Sequence, residues 1–398
     1  MTLSNGRPYL AIPGPSVVPD AVLREMHRAA PNIYEGELIA MMPGLTNDLK
    51  RVARTDKHVA IYISNGHGAW EAALSNVLSP GDKVLVPATG RFGHGWAEVA
   101  AGLGVKVDLE DFGKQSPVDP DRIETLLRAD SAHEIKAVMV THVDTSTSIR
   151  NDIPAIRAAM DAAGHPALLM ADCIASLACD RFEMDDWGVD VMVAGSQKGL
   201  MLPPGLGFVY FGDKAAEARA RRDVVSRYWD WVPRADPALF YQYFGGTAPT
   251  HHLYGLRAAL DMIHEERIEA VWARHARLAQ AIWAACETWA EDGPLALNVA
   301  DKGLRSHAVT ALRIGQPHGT ALREWVQHNA GVTLGIGLGM AEPGDPAWHG
   351  FFRIGHMGHV NAHMVQGMLG AVQAGLVALD IPHGHGALEA ASGVIAAA

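Results

Sequence analysis

Short apolar runs alternate with helical stretches along the first two thirds of the chain. His58–Ile63, Lys83–Pro87, Val105–Leu109, Ala137–Thr141, Ala167–Ala171, Asp190–Ala194 and Leu206–Phe211 have the length and composition of strands. Several are apolar at consecutive rather than alternate positions, which fits strands covered by helices on both faces of a mainly parallel sheet. Between them, Asp121–Ala129 and Ile153–Ala163 repeat apolar residues at helical spacing, and Gly164 supplies a stop signal after the second. This alternation predicts an α/β, doubly wound sheet.

After about Thr250 the pattern changes. His252 through Glu287 reads as one long helix, rich in Ala, Leu, Arg and Trp with Gly255 its only glycine, and suits a connector between domains. Beyond it, Ala308–Arg313 and Phe351–Ile354 read as strands and Ala362–Leu379 as an amphipathic helix, together a small α+β unit. The Gly- and Ala-rich tail from His383 is expected to be peripheral. The division predicted is an N-terminal arm of residues 1–20, a large domain of 21–270 and a small C-terminal domain of 271–398, with no internal repeat.

With 398 residues, 48% of them hydrophobic and 19% charged, the chain can bury a large core. Its net charge of -11 repels phosphate backbones and anionic lipid, which argues against nucleic acid and membrane surfaces as partners. The three cysteines, Cys173, Cys179 and Cys286, have no metal-type spacing and cannot all pair, as expected of a protein of the reducing cytoplasm. Residues 1–8 show no basic stretch leading into an apolar one, and no run approaches the about 18 apolar residues of a membrane span. Neither export nor a membrane anchor is expected.

The strongest local signal is Gly195-Ser196-Gln197-Lys198-Gly199, directly after the run Asp190–Ala194. A lysine at the carboxyl edge of a buried strand stands where α/β sheets place ligands, and partial desolvation there would open Schiff-base chemistry to its amine. Taken alone, the pentapeptide equally suits a solvated loop. Asp172 ends another apolar run, and an isolated acid there is ordinarily a cap or turn residue. Beside the lysine it gains a complementary role, holding a heteroaromatic ring nitrogen protonated. Ser64-Asn65-Gly66-His67-Gly68-Ala69-Trp70-Glu71 turns from strand to helix and offers an anion cradle at the helix N-terminus, or merely a turn; it lacks the Walker spacing.

In combination these segments resemble the class V aminotransferases of fold type I, in the alanine–glyoxylate and serine–glyoxylate branch. The resemblance runs from Pro13-Gly14-Pro15 to Arg353-Ile354-Gly355-His356-Met357-Gly358. It implies a large mainly parallel sheet domain with a small α+β C-terminal domain, and pyridoxal 5'-phosphate (PLP) held as a Schiff base on Lys198. By the same resemblance Gln197 lies beside the phosphate, Asp172 pairs with the pyridinium nitrogen, and Asn65, Gly66 and His67 form the phosphate turn. Phe92, in Gly90-Arg91-Phe92-Gly93, would stack on the ring, and Thr145 would stand near its 3-oxygen. Thr247 would reach the phosphate of a neighbouring subunit, implying a homodimer with shared active sites. Arg353 would grip the substrate carboxylate, for which a guanidinium fork is suited. No metal is expected.

The activity implied is amino transfer from a small amino acid, of alanine or serine type, to glyoxylate or pyruvate, with Lys198 also the general base at Cα. A pyridoxamine–pyruvate transaminase, a PLP lyase and a non-catalytic PLP-binding regulator on the same scaffold remain alternatives. Departures from the family gather near the substrate. Asn32–Leu38 replaces a His-Arg-x-Pro-Glu-Phe-like segment, and His142-Val143-Asp144-Thr145 replaces His-Asn-Glu-Thr. Cys173-Ile174-Ala175-Ser176 is also atypical. Tyr34 resembles a substrate-binding tyrosine of pyridoxamine–pyruvate aminotransferases, yet Gly335-Ile336-Gly337-Leu338-Gly339 lacks the arginine found there. The segment Asn32–Leu38 with Val143 and Asp144 is expected to select the donor, the added Tyr34, Glu35, Glu37 and Asp144 giving an acidic lining that disfavours dicarboxylic ones, unless the carboxylates point to solvent and only Tyr34 approaches the substrate. His251-His252 and His383-Gly384-His385 have no accompanying ligand pattern. Tyr228-Trp229-Asp230-Trp231 suits either a substrate channel or a packed loop.

Overall fold

Seven strands build the larger sheet of the computed structural model, which describes residues 3–397, so Met1 and Thr2 of the predicted arm and Ala398 of the tail lie outside it. In spatial order they are His58–Ser64, Gly205–Phe211, Val191–Gly195, Leu168–Asp172, Ile135–Thr141, Lys83–Ala88 and Lys106–Asp111. Gly205–Phe211 runs antiparallel to both neighbours, and every other pair is parallel. The two central strands ending at Asp172 and Gly195 are buried along their whole length, as consecutive apolar residues require. At one edge Lys106–Asp111 is charged and largely exposed, which blunts further strand pairing.

Because the reversed strand is antiparallel on both sides, His58–Ser64 points the same way as the parallel strands. Their carboxyl ends therefore share one edge, and the segments after Ser64, Ala88, Thr141, Asp172 and Gly195 converge there. The helix Gly66–Val77 starts at that edge because the Asn65 side chain accepts from His67 and Gly68 N–H at 3.1 and 3.3 Å. Asp119 and Asp152 cap Pro120–Ala129 and Ile153–Ala162 in the same way, each with proline in the first turn.

A second, five-stranded sheet has the order Tyr9–Ala11, Val332–Ile336, Phe351–Gly355, Val309–Arg313 and Ala296–Leu297. The N-terminal strand pairs in parallel with the next, Tyr9 opposite Val332, and the remaining pairs are antiparallel. Ala11, Ile282, Phe352, Ile354 and Val372 share one apolar core beneath this sheet.

Two expectations change. The long helix is two, Thr250–Glu266 and Ile268–Ala290, broken at Arg267 with φ of 71°. The break is hidden in the pattern because Ile263, Ile268 and Val271 all face the same core. Across it, Glu266 accepts two hydrogen bonds from Arg274, at 2.6 and 2.9 Å. The Ala-rich tail is not peripheral: Ala387–Ala396 is a helix lying on Ile268–Ala290, with Ala387 and Ala391 in the second core, since small side chains let helices approach closely. The glycine-containing segment at 332–336 is a strand of the second sheet. Among the described residues no helix is long and apolar enough to cross a membrane.

Candidate functional site

A cavity of about 330 Å³ opens at the shared carboxyl edge and is lined by Asn65, Gly66, His67, Phe92, Thr145, Asp172, Gln197 and Lys198. Lys198 is delivered by a turn after Val191–Gly195. That turn is held by Ser196 Oγ donating to Pro203 O at 2.8 Å, Met201 N–H to Lys198 O at 3.1 Å and Ser16 Oγ to Lys198 O at 2.7 Å. The Lys198 amine lies inside the cavity and donates to Pro13 O. Burial pulls its pKa down to about 8, assisted by the Arg353 charge and opposed by Asp172. A cation loses more than a neutral amine when water is removed.

Asp172 is 3% exposed. Burial pushes its pKa up to about 7, against hydrogen bonds from Ile174 N–H at 2.8 Å and Trp70 Nε1–H at 3.1 Å. Burial thus brings the acid and the amine, with opposite shifts, toward neutrality in one cavity, as is common at functional sites. Trp70 was not singled out from the sequence, although its position in the Asn65–Glu71 segment placed it on the helix that begins at the site. A fully buried indole N–H needs an acceptor, and here that acceptor is the acid. Trp70 also stacks on Trp96 at 6.1 Å and meets Phe92 edge-on at 6.4 Å, so Trp70 and Phe92 line the cavity together with Trp96 packed behind them.

Phe92 lies in the first turn of the helix Arg91–Gly102. His67 sits 4.7 Å from Trp70, and its pKa is lowered by burial and by Arg91. The side-chain oxygen of Gln197 is buried with no hydrogen-bond partner. Arg353, 6% exposed in the second sheet, donates from Nε to Ile336 O at 2.6 Å and from Nη1 to Thr145 O at 2.7 Å. Burial lowers its pKa to about 10, with Asp144 opposing, and its charge reaches Lys198.

Three predicted groups lie apart. Thr247 is exposed, Tyr34 is 86% exposed, and neither lines this cavity. Glu35 is exposed beside Asn32 Nδ2 at 3.3 Å, and Glu37 pairs loosely with Arg28 at 3.6 Å. Asp144 is fully buried, but its carboxylate is taken by backbone N–H groups and Ser146 and it does not line the cavity, so it adds no second acid beside Asp172 there. The aromatic segment is a packed loop: Trp231 is buried and stacks on Phe211 at 4.1 Å, and Trp229 Nε1–H donates to Glu71. His383 and His385 stand together near Gln373, and no cluster suited to a metal occurs among the described residues.

Lys198 and Asp172 stand at the carboxyl ends of neighbouring strands of a mainly parallel sheet, the charge of Arg353 from a second sheet reaches the lysine, and the fold is that of the fold-type I aminotransferases. The Aminotransferase class-V family model matches residues 9–358. The chain belongs to this family and is an aminotransferase. It is 36% identical to the serine–glyoxylate aminotransferase of Methylorubrum extorquens, covering 97% of this chain and 96% of that one. It is also 36% identical to the L-aspartate–glyoxylate aminotransferase of Paracoccus denitrificans, covering 97% and 94%. Among solved structures, pyridoxamine–pyruvate aminotransferase from Mesorhizobium loti superposes with a TM-score of 0.88 at 26% identity over all of both chains. Ureidoglycine–glyoxylate aminotransferase from Bacillus subtilis gives 0.86 at 25% identity over 99% of each.

Proposed function

We propose that this aminotransferase uses PLP to move an amino group from a small amino acid, of alanine or serine type, to a small 2-oxo acid, with glyoxylate preferred over pyruvate. The observation that carries the reading is the pairing of the Lys198 amine, at a pKa of about 8, with Asp172 in one cavity. The residues fit the cofactor. Asp172 can face a ring nitrogen, Phe92 and Trp70 offer flat walls, Gln197 has an unpartnered buried amide oxygen, and Asn65 opens a helix whose positive end suits a phosphate. When bound, PLP supplies a carbonyl for the amino group and a protonated ring that withdraws electrons from the substrate carbon.

The chain's own groups do the rest. Lys198 Nζ, neutral in a useful fraction near pH 8, takes the proton from the substrate Cα. Asp172 would hold the proton on the cofactor's ring nitrogen, and Arg353 would hold the α-carboxylate that donor and acceptor share. Glyoxylate is named in both relatives above whereas the donor differs between them, so the acceptor is the firmer half of the proposal. In a cytoplasmic homodimer the exposed Thr247 would reach the phosphate of the neighbouring subunit, and the exposed Tyr34 would be a substrate contact. The 0.88 superposition favours pyridoxamine–pyruvate exchange as the second reading, against which stands the absence of arginine from Gly335–Gly339. A matrix of alanine, serine, aspartate and pyridoxamine against glyoxylate, pyruvate and 2-oxoglutarate tests both. Alanine or serine with glyoxylate should give the highest kcat/KM; pyridoxamine as the best donor selects the second reading, and inactivity of every pair refutes both.

A further inference from the structure

We propose that Asp144 is a positioning residue that couples the Phe92 ring wall to the Arg353 clamp, one buried carboxylate fixing both the place of a flat ring and the place of a substrate carboxylate. The inference rests on the transaminase reading and names a residue that holds its two recognition elements in register.

The helix Arg91–Gly102 begins after Gly90, which has no side chain to cap it. The cap comes from another segment. Asp144 Oδ2 accepts from Phe92 N–H at 2.8 Å and Gly93 N–H at 3.2 Å, and Ser146 Oγ accepts from Arg91 N–H at 3.0 Å. Ser146 is in turn bound to the same carboxylate, its N–H and Oγ–H donating to Asp144 Oδ1 at 2.9 and 2.5 Å. Four donors therefore converge on one carboxylate that is 0% exposed. The approach is so close that a Cβ on Gly90 would lie 2.6 Å from Asp144 Cγ, which is why glycine precedes this helix.

The second half of the coupling runs through the backbone. Thr145, between Asp144 and Ser146, presents the carbonyl that Arg353 Nη1 grips at 2.7 Å. The segment cannot drift independently, since Val143 and Asp144 pair with Arg150 and Ile149 in a short hairpin and Asp144 O accepts from Ser148 N–H at 2.8 Å. A shift of the carboxylate thus moves the Phe92 amide on one side and the carbonyl under Arg353 on the other. The negative charge of Asp144 also offsets part of the cost of burying the Arg353 guanidinium.

An amide cannot replace this acid. An asparagine side chain here would present one oxygen and one NH2, and the NH2 would face N–H groups that are themselves donors, leaving buried groups unsatisfied. The test uses Asp144→Asn and the milder Ser146→Ala, which keeps the carboxylate on Phe92 and Gly93. Two binding constants are read without turnover: the Kd of the apoprotein for PLP, followed by tryptophan fluorescence, reports the ring wall. The Kd of the PLP-loaded protein for propionate, an unreactive carboxylate, reports the clamp. Asp144→Asn should raise both by about tenfold, and the KM for donor and for acceptor together, because small misplacements at a site are costly. Ser146→Ala should move the same constants in the same direction by about two- to threefold, and it decides the matter should Asp144→Asn fail to fold. A lower melting temperature with both Kd values unchanged, or a change in one Kd alone, overturns the coupling. Failure of the wild type to transaminate refutes the functional reading instead, while the two Kd comparisons still judge the coupling.

Discussion

Asp172 and Asp180 lie on one segment and are both buried, yet burial has opposite outcomes at the two. At Asp172 the oxygens meet two neutral donors, Ile174 N–H and the Trp70 indole, and burial prevails, leaving the pKa near 7. At Asp180 burial is again the largest influence but is overcome by the charges of His307 and Arg150. Ser306 Oγ–H and His307 N–H also donate to it, at 2.8 and 2.9 Å. The result is a carboxyl held below its ordinary range that ties the end of the Asp172 segment to residues 306 and 307, just before the strand Val309–Arg313 of the second sheet. A buried acid whose hydrogen-bond donors are neutral stays near its protonation midpoint, whereas one surrounded by charged groups is held ionised and serves as a joint.

That contrast can be broken experimentally, and removal of the amine that faces Asp172 should have the largest effect. Lys198→Ala is expected to fold, to show no borohydride-reducible cofactor linkage and to lose roughly 10⁴ or more in kcat, since tether and general base vanish together. Turnover at the wild-type rate would remove Lys198 from the mechanism.

Asp180→Ala should act on stability. Stripping the acid from a buried, partnered cluster costs about 3 to 5 kcal/mol, to be read as a fall in the denaturant midpoint. A variant as stable as wild type would show that the joint contributes nothing. Because the Asp180 pKa is lowered, its contribution is present at neutral pH and is lost as the medium is acidified below the ordinary carboxylate range.

Asp172→Asn should reverse the pattern, keeping the fold and losing about 10² in kcat, the order expected for a preorganised charge at a developing carbanion. Unchanged kcat would take Asp172 out of the ring-nitrogen role.

The smallest effect is the pH dependence of the apoprotein. The folded pKa of Asp172, about 7, exceeds the unfolded value of about 3.9, so the burial penalty is absent below about pH 4, grows as pH rises and levels off above about pH 7. Between pH 6 and 8 the wild-type apoprotein should lose about 1 kcal/mol from this group. Asp172→Asn should lack that loss, and parallel urea midpoints for the two proteins over that range would refute the raised pKa.

The sequence by itself placed the inner strands of the large sheet, because a strand buried on both faces must be apolar at consecutive positions. It also placed Lys198 and Asp172 at strand ends, where a local change from apolar to polar residues is visible. The same reading did not reach the pairing of Tyr9 with Val332, the indole of Trp70 on Asp172, or the break at Arg267, which a continuous apolar face conceals. Nor did it find that Asp144 points into the first turn of a helix some fifty residues earlier in the chain rather than into the cavity. These were decided by tertiary structure for one physical reason. Periodicity records which face of an element is buried, whereas the partner of a buried polar group is set by segments far away in sequence that the fold brings within hydrogen-bonding distance.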